Sequence, residues 1–152
     1  MKKMTRVLAL VLLVAAAATL LVSCTKYPSL KKAFEKEGYK ENTALESVST
    51  KIKEELEKDD LTVNLHLLTK ESNGITSVLI IEFKATEDMK KAYDDSSTIQ
   101  GFVKDISKNE DAQAFAEALE NAGYAKGNCL VVPLSPLGLH INEITNIVKS
   151  VK

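Results

Sequence analysis

The sequence predicts a single α+β domain, in which helices pack on one small sheet of about three strands as a two-layer sandwich. Two observations carry this prediction. Apolar residues recur at helical spacing over most of the chain, but at strand spacing between residues 61 and 83 and again at 129–132. Strand segments that are separated by several helical segments are typical of α+β folds. With 152 residues, the chain is too short for two ordinary domains beyond its apolar start.

Two helices are expected before the first strand. Ser29 is a residue type that caps helices, and Gly38 is favoured just beyond a helix end. Between them, Leu30 and Phe34 lie four residues apart and share one face. The second helix is indicated by an apolar stripe at spacings of three and four residues, formed by Leu45, Val48, Ile52 and Leu56.

A β-hairpin is predicted after the second helix. Apolar and polar residues alternate over residues 61–67, so this strand is expected to have one solvated face, which carries His66. Asn73-Gly74 is the strongest short hairpin signal. The return strand, residues 75–83, is apolar on both faces and is therefore expected to be central or covered on both sides.

The second half of the chain predicts helices around one buried strand. Thr86 is expected to cap a helix, which is followed by a short helix over residues 99–106. A longer helix is expected from Asn109, with an apolar stripe that ends at Gly123. The segment "CLVV", residues 129–132, is typical of a short buried strand. Apolar residues at helical spacing over residues 141–151 predict the final helix.

The stretch "VLIIEFKATEDMKKAYD", residues 78–94, resembles the strand-to-helix passage of ferredoxin-like folds, including RNA-recognition modules. The resemblance implies a hairpin that is followed by a helix on the sheet. The stretch carries no aromatic platform of the kind on which those modules stack bases. It therefore supports the fold prediction and does not predict RNA binding.

Two segments of the chain are similar to each other. "AFEKEGY", residues 33–39, and "ALENAGY", residues 118–124, share Ala, Glu, Gly and Tyr at matching positions. One hypothesis is a duplicated half-domain, in which Tyr39 and Tyr124 frame equivalent grooves. The other is two independent helix ends, each with glycine just past the helix. The sequences that follow do not match, which favours independent helix ends.

The first 24 residues have the organisation of a targeting segment. Lys2, Lys3 and Arg6 form a positive start, and sixteen mostly apolar residues follow, Val7 to Val22. A membrane-spanning helix needs about 20 apolar residues, so this run is marginal for a permanent span. A short apolar stretch behind a positive start is typical of a signal peptide.

The end of this segment, Leu21-Val22-Ser23-Cys24, resembles the lipobox of bacterial lipoproteins. The resemblance implies a diacylglycerol group on the Cys24 sulfur and cleavage between Ser23 and Cys24. Residues 1–23 are then the removed signal peptide, 24–28 the lipidated tether and 29–152 the domain. The expected location is the extracytoplasmic side of the cell membrane, with the lipid on Cys24 as the anchor.

The charge of the mature chain argues against nucleic-acid binding. Beyond residue 23 there are 17 lysines, no arginine and 21 acidic residues, which gives a net charge of −4. Proteins that bind nucleic acid usually present a positive face and arginine side chains. We therefore expect no nucleic-acid partner.

Cys129, His66 and His140 are the side chains with the greatest potential for chemistry. Cys129 lies in the most apolar predicted strand, with no local group to lower its pKa, so we expect it to pack as a buried hydrophobe. The alternative is a reactive thiol paired with His66 or His140 across the fold. The histidines have no metal-ligand spacing, and no phosphate-binding or cofactor motif is present. No catalytic, metal-binding or cofactor-binding residue is therefore assigned.

The segment "PLSPLGLH", residues 133–140, is a stiff apolar loop before the last helix. If its leucines are exposed, they form a patch that suits a partner protein or a lipid-like ligand. If they are buried, they seal the end of the core, and this interpretation is favoured. The candidate interaction residues are Leu134, Leu137 and Leu139.

The expected function follows from the anchor and from the lack of a catalytic motif. It is a non-catalytic binding or interaction module at the cell envelope, which contacts an envelope protein, a peptide or a small ligand. One alternative is a small envelope enzyme that uses Cys129 with a histidine. Another is an accessory subunit of a membrane complex.

Overall fold

A computed structural model describes residues 26–43, 46–58, 61–103 and 111–152, and over these residues the fold is α+β. The fold class is therefore confirmed. The predicted signal peptide, the lipobox and Cys24 lie outside the described residues, as do Leu45, Ile106 and Asn109 from the predicted helices. No described helix has both the length and the apolar character that a membrane span requires.

The described chain begins and ends with a helix, and a run of three helices separates its first three strands from its last two. The described helices are α1 (Tyr27–Lys36), α2 (Glu46–Lys58), α3 (Thr86–Asp95), α4 (Ser97–Phe102), α5 (Ala112–Ala122) and α6 (Ile141–Ser150). The described strands are β1 (Tyr39–Glu41), β2 (Val63–Lys70), β3 (Ser77–Phe83), β4 (Ala125–Lys126) and β5 (Cys129–Leu134). They form one five-stranded sheet in the order β1-β2-β3-β5-β4, and neighbouring strands are antiparallel.

The prediction of about three strands missed the two edge strands. Strand β1 has three residues and β4 has two, so neither is long enough to show a period of two. Each follows a helix through a glycine with positive φ, Gly38 at 84° and Gly123 at 86°. Each of the two similar segments therefore contains the end of a helix followed by a glycine. This common feature supports the hypothesis of independent helix ends. Short strands at both edges leave little unpaired backbone for pairing with another chain.

The sheet carries helices on both faces, so the prediction of a two-layer sandwich is wrong. One buried cluster joins β2, β3 and β5 to helices α2 to α5 and contains Phe83, Met89, Phe115 and Leu130. The other joins the opposite face to α1 and α6 and contains Phe34, Tyr39, Ile80 and Val131. The physical reason is that β3 is apolar on both faces and needs a helical layer on each.

The predicted hairpin is confirmed, and β3 lies at the centre of the sheet. Gly74 has φ +65°, and the Asn73 side chain accepts hydrogen bonds from the backbone N–H groups of Ile75 and Thr76. The expectation of a solvated face on β2 holds at its start, where Thr62 and Asn64 are exposed, but not further along, where His66 is half-buried. Leu68 is fully buried on that face because α1 and α6 cover it.

Two predicted helix starts differ from the structure. Helix α1 begins at Tyr27, with Pro28 in its first turn, where its fixed φ suits a helix, rather than at Ser29. Thr86 is the first residue of α3 rather than its cap, because Ala85 occupies that position. The first helix therefore begins two residues before Ser29, inside the segment 24–28 that was predicted as a tether.

Candidate functional site

Three large hydrophobic side chains are exposed at one end of the sheet. Ile75 lies in the β2–β3 hairpin, and Leu137 and Leu139 lie in the loop between β5 and α6. Ser77 pairs with Leu134 across β3 and β5, so the hairpin and the loop continue side by side beyond the sheet. The exposed fractions are 59% for Ile75, 98% for Leu137 and 52% for Leu139. We call these three residues the apolar tip.

The favoured interpretation of the loop, that its leucines seal the core, is wrong for two of the three. Leu134 is half-buried, ends β5 and packs against the core. Leu137 and Leu139 point outward, because a short 3₁₀ turn over Pro136–Gly138 carries the chain away from the sheet. Leu137, which is nearly fully exposed, contributes nothing to the core.

The loop behind the apolar tip holds an unfavourable backbone conformation. Leu137 has φ 57° and His140 has φ 65°, and these are the positive-φ residues other than glycine in the described chain. The left-handed conformation costs about 1–2 kcal/mol for a residue with a Cβ atom. The Ser135 hydroxyl oxygen is also buried without a hydrogen-bond partner. Such strain persists only where surrounding contacts hold it, and it is often found at functional sites.

One carboxylate holds the end of this loop. His140 Nδ1 lies 3.1 Å from Glu143 Oε2. Glu143 Oε1 accepts hydrogen bonds from Lys70 Nζ at 2.6 Å and from the Tyr39 hydroxyl at 3.0 Å. We call these four residues the Glu143 cluster. It joins α6 to the end of β2 and to the start of β1, directly beneath the apolar tip.

The Glu143 cluster shifts two pKa values. Burial by itself raises the pKa of Glu143, but the hydrogen bonds from Lys70, His140 and Tyr39 together outweigh it and lower that pKa below its ordinary value. Burial, and then the hydrogen bond to Glu143, raises the pKa of the Tyr39 hydroxyl well above its ordinary value. At neutral pH the cluster therefore contains an ionised Glu143 and a neutral Tyr39.

The charged side chains beside the apolar tip are paired. Lys40 Nζ lies 2.8 Å from Glu71 Oε1, and Lys70 Nζ lies 2.6 Å from Glu143 Oε1. His140 contacts the other oxygen of Glu143. Lys40 and Lys70 therefore each have a carboxylate partner at this end of the sheet.

Replacing Leu137 by glycine is expected to raise the free energy of unfolding by about 0.5–1 kcal/mol, because glycine adopts positive φ at little steric cost. The lost side chain is 98% exposed, so no burial is given up. Urea denaturation followed by circular dichroism measures the change. Leu139→Gly is the control: Leu139 has φ −62°, so this change is expected to lower stability or leave it unaltered. Equal effects of the two changes would contradict strain at Leu137.

The structure does not bring Cys129, His66 and the loop that contains His140 together at one site. Cys129 is fully buried at the start of β5, beside Glu82 of β3, as the sequence predicts for a packed thiol. His140 belongs to the Glu143 cluster at the far end of that strand. His66 Nε2 lies 3.2 Å from Glu82 Oε2, so His66 and Cys129 both lie next to the same carboxylate residue.

His66 also contacts the first helix, which sequence reasoning did not anticipate. Its ring stacks on that of Tyr27, with centroids 3.4 Å apart and planes inclined by 12°. The Tyr27 hydroxyl donates to Glu41 at 2.5 Å, and Lys31 donates to the same carboxylate at 2.8 Å. The hydrogen bonds from Lys31 and Tyr27 lower the pKa of Glu41. Burial, and then the hydrogen bond to Glu41, raises the pKa of Tyr27. These contacts fix α1 on the sheet.

Neither of two cavities on the described surface gathers a catalytic set. A groove of about 600 Å³ between α1 and α6 is lined by Lys32, Lys36, Asn146 and one edge of Glu143. A cavity of about 350 Å³ lies between α2 and α4, with Leu79 and Ile81 in its floor. Over the described residues, no group of three or more histidine, cysteine, aspartate or glutamate side chains is arranged to hold a metal ion.

Comparisons with protein families, with curated proteins and with solved structures find no match to this chain. The apolar tip and the Glu143 cluster beneath it are therefore interpreted from their geometry alone.

Proposed function

We propose that the protein is a lipid-anchored, non-catalytic binding module on the extracytoplasmic side of the cell membrane, and that the apolar tip is its contact surface. The observation that carries the proposal is the exposure of Leu137 and Leu139 in a loop that is held in a strained conformation. Maintaining exposed leucines on a strained backbone costs stability, and binding is the function that such a surface serves best.

The anchor follows from the lipobox, Leu21-Val22-Ser23-Cys24. Two acyl chains on one glycerol bind a membrane stably, where one chain is marginal. Helix α1 begins three residues after Cys24, and three residues span about 10 Å at most. A domain that is tethered in this way lies close to the surface of the bilayer.

Replacing Cys24 by alanine tests the anchor. We expect complete loss of incorporated radiolabelled fatty acid and accumulation of a precursor that still carries residues 1–23, because no thiol remains to accept the diacylglycerol. Cys129→Ala is the matched control, since it removes the other cysteine of the chain and should leave labelling unchanged. Unchanged labelling of the Cys24→Ala protein would refute lipid anchoring at this residue.

The alternative function is a small envelope enzyme that uses the Cys129 thiol with His66. The observation in its favour is that both residues lie next to Glu82 on one face of the sheet. Against it, Cys129 is fully buried, whereas a nucleophile needs access to substrate.

Alkylation of the thiol distinguishes the two functions. In the folded mature protein, whose Cys24 is lipidated, iodoacetamide is expected to modify Cys129 at least a hundredfold more slowly than in the protein unfolded in guanidinium chloride. Mass spectrometry of the tryptic peptide reports the rate. A rate in the folded state that equals that of the unfolded state would instead favour the enzyme.

A further inference from the structure

The groove between α1 and α6, which we call the α1–α6 groove, lies where the chain enters the domain. Ser29 in the first turn of α1 and Lys152 just beyond α6 both line it. Lys26, the first described residue, donates from Nζ to the carbonyl oxygen of Lys152 at 3.3 Å. Cys24 precedes Lys26 by two residues, which span about 7 Å at most. A lipid on Cys24 would therefore hold this groove next to the bilayer.

The helical layers on the two faces of the sheet carry opposite charge. Helices α1 and α6 contain four lysines and two acidic residues, which gives their side chains a net charge of +2. Helices α2 to α5 contain five lysines and ten acidic residues, a net charge of −5. An anionic surface therefore attracts the layer that carries the groove and repels the opposite layer.

Two lysines of the groove form no ion pair in the described part of the chain. Lys32 and Lys36 lie four residues apart on α1, so they project from the same side of the helix, and both are exposed. No described carboxylate lies within ion-pair distance of either ammonium group. Of the acidic side chains in the lining, Glu143 is already bound by Lys70, which leaves Glu37. The side chains of the groove therefore retain an excess of positive charge.

The accessible neutral residues of the groove suit a phosphate group. Ser29 and Asn146 are exposed and contribute a hydroxyl and an amide donor, whereas Ile147 and Val151 of the lining are buried. Ammonium groups together with neutral donors of this kind bind phosphate oxygens. The volume of about 600 Å³ is in the range of sites for small ligands, so one phospholipid headgroup fits the groove.

We propose that the α1–α6 groove lies on the bilayer and binds the phosphate groups of anionic phospholipids, which fixes the orientation of the anchored domain. The proposal rests on the lipid anchor of the proposed function and adds a second contact with the same membrane. Because the tether confines the domain to the membrane surface, the local concentration of lipid is high and a weak attraction is enough. Lysines near an anionic bilayer supply such an attraction. The acidic layer of α2 to α5 then faces away from the membrane.

The test is fluorescence quenching of the purified lipoprotein in vesicles, after mass spectrometry has established that Cys24 carries the acyl chains. A fluorophore is attached to Asn142→Cys, an exposed position one turn before Asn146 and on the same side of α6. Glu117→Cys, exposed on α5 in the opposite layer, is the matched control. The lipidated Cys24 and the buried Cys129 do not compete for the label.

The quencher is a nitroxide on the headgroup of phosphatidylcholine. In vesicles that also contain about 30% phosphatidylglycerol, we expect quenching about threefold stronger at position 142 than at position 117. In vesicles of phosphatidylcholine alone the two positions should be quenched about equally, because no anionic lipid orients the domain. Raising the salt concentration from about 0.1 M to about 0.5 M should abolish the difference in anionic vesicles, because salt screens the attraction.

Two pairs of substitutions locate the contact. Lys32→Gln with Lys36→Gln is expected to reduce the ratio of quenching from about three to about one, because it removes two positive charges from the groove. Lys51→Gln with Lys53→Gln removes the same charge from α2 and should leave the ratio unchanged. All four side chains are exposed, so circular dichroism should show that both variants are folded.

Three results would overturn the inference: equal quenching at the two positions in anionic vesicles, a difference that persists in neutral vesicles or at high salt, or equal effects of the two pairs of lysine substitutions. Equal quenching is also the result expected if the groove binds an acidic protein instead. The anchor is tested separately by the mass of the acyl chains. A lipidated protein with equal quenching would keep its anchor and lose only this orientation, whereas a protein without acyl chains would lose both.

Discussion

Replacing Gly123 by alanine is expected to lower the free energy of unfolding by about 3 kcal/mol. Gly123 ends α5 with φ +86°, a conformation that costs about 1–2 kcal/mol for alanine. A Cβ atom at this position would also lie 2.6 Å from the backbone oxygen of Thr145 and 2.8 Å from its Cβ. Because Thr145 belongs to helix α6, relief requires that a packed helix moves, and such overpacking typically costs about 1–3 kcal/mol.

Gly38 provides the matched control for this change. It ends α1 with φ +84°, in the segment that is similar to the one around Gly123, but a Cβ atom added there would meet nothing within 4 Å. Gly38→Ala is therefore expected to cost only about 1 kcal/mol, from the backbone conformation alone. Urea denaturation of both variants by circular dichroism measures the difference. Equal losses of stability would show that α5 and α6 can separate at little cost.

Truncating Glu143 to alanine is expected to lower the free energy of unfolding by about 2 kcal/mol at pH 7. The change leaves the buried Tyr39 hydroxyl and the mostly buried Lys70 ammonium without their shared acceptor, and unsatisfied groups of this kind cost about 1–3 kcal/mol. The same denaturation experiment measures the loss. Glu41→Ala is the control, because its carboxylate also binds a tyrosine and a lysine but is more exposed, so a smaller loss is expected.

The contribution of Glu143 should depend on pH in a defined direction. Its pKa is lowered in the folded protein, so the stabilisation is complete above the ordinary value of about 4.5 and is lost as the pH falls through the folded value. The pKa of Tyr39 is raised, so its contribution is complete below about 10 and is lost as the pH rises further. In Glu143→Gln, stability should therefore fall less steeply below pH 4.5 and above pH 10. Unaltered pH profiles would show that the cluster does not couple to folding.

Elements with several repeats of one period could be predicted from sequence. The hairpin, the buried strand that begins at Cys129 and the two long helices near the C-terminus are confirmed, because each repeats its pattern enough times to be recognised. The edge strands β1 and β4 are too short to repeat a pattern that could be recognised in the sequence. Their position depends on the glycines that end the preceding helices, and a glycine shows where a helix stops without showing what the chain pairs with next.

The candidate site could be predicted only in part. The proline, glycine and leucine residues of the loop marked it as unusual. The direction of its leucines, however, depends on the left-handed backbone conformation at Leu137. The conformational preferences of leucine do not predict that conformation. The Glu143 cluster could not be found, since Tyr39 and Glu143 are separated by 104 residues. The only local signal was the spacing of three between His140 and Glu143, which is common by chance.

The central position of β3 has a mechanical consequence. This strand is hydrogen-bonded along both edges, to β2 and to β5, and those bonds run across the strands. A pull along β3 therefore loads both ladders at once as shear, instead of opening their bonds one after another from an end. Force that enters through the β2–β3 hairpin would meet the stiffest part of the domain.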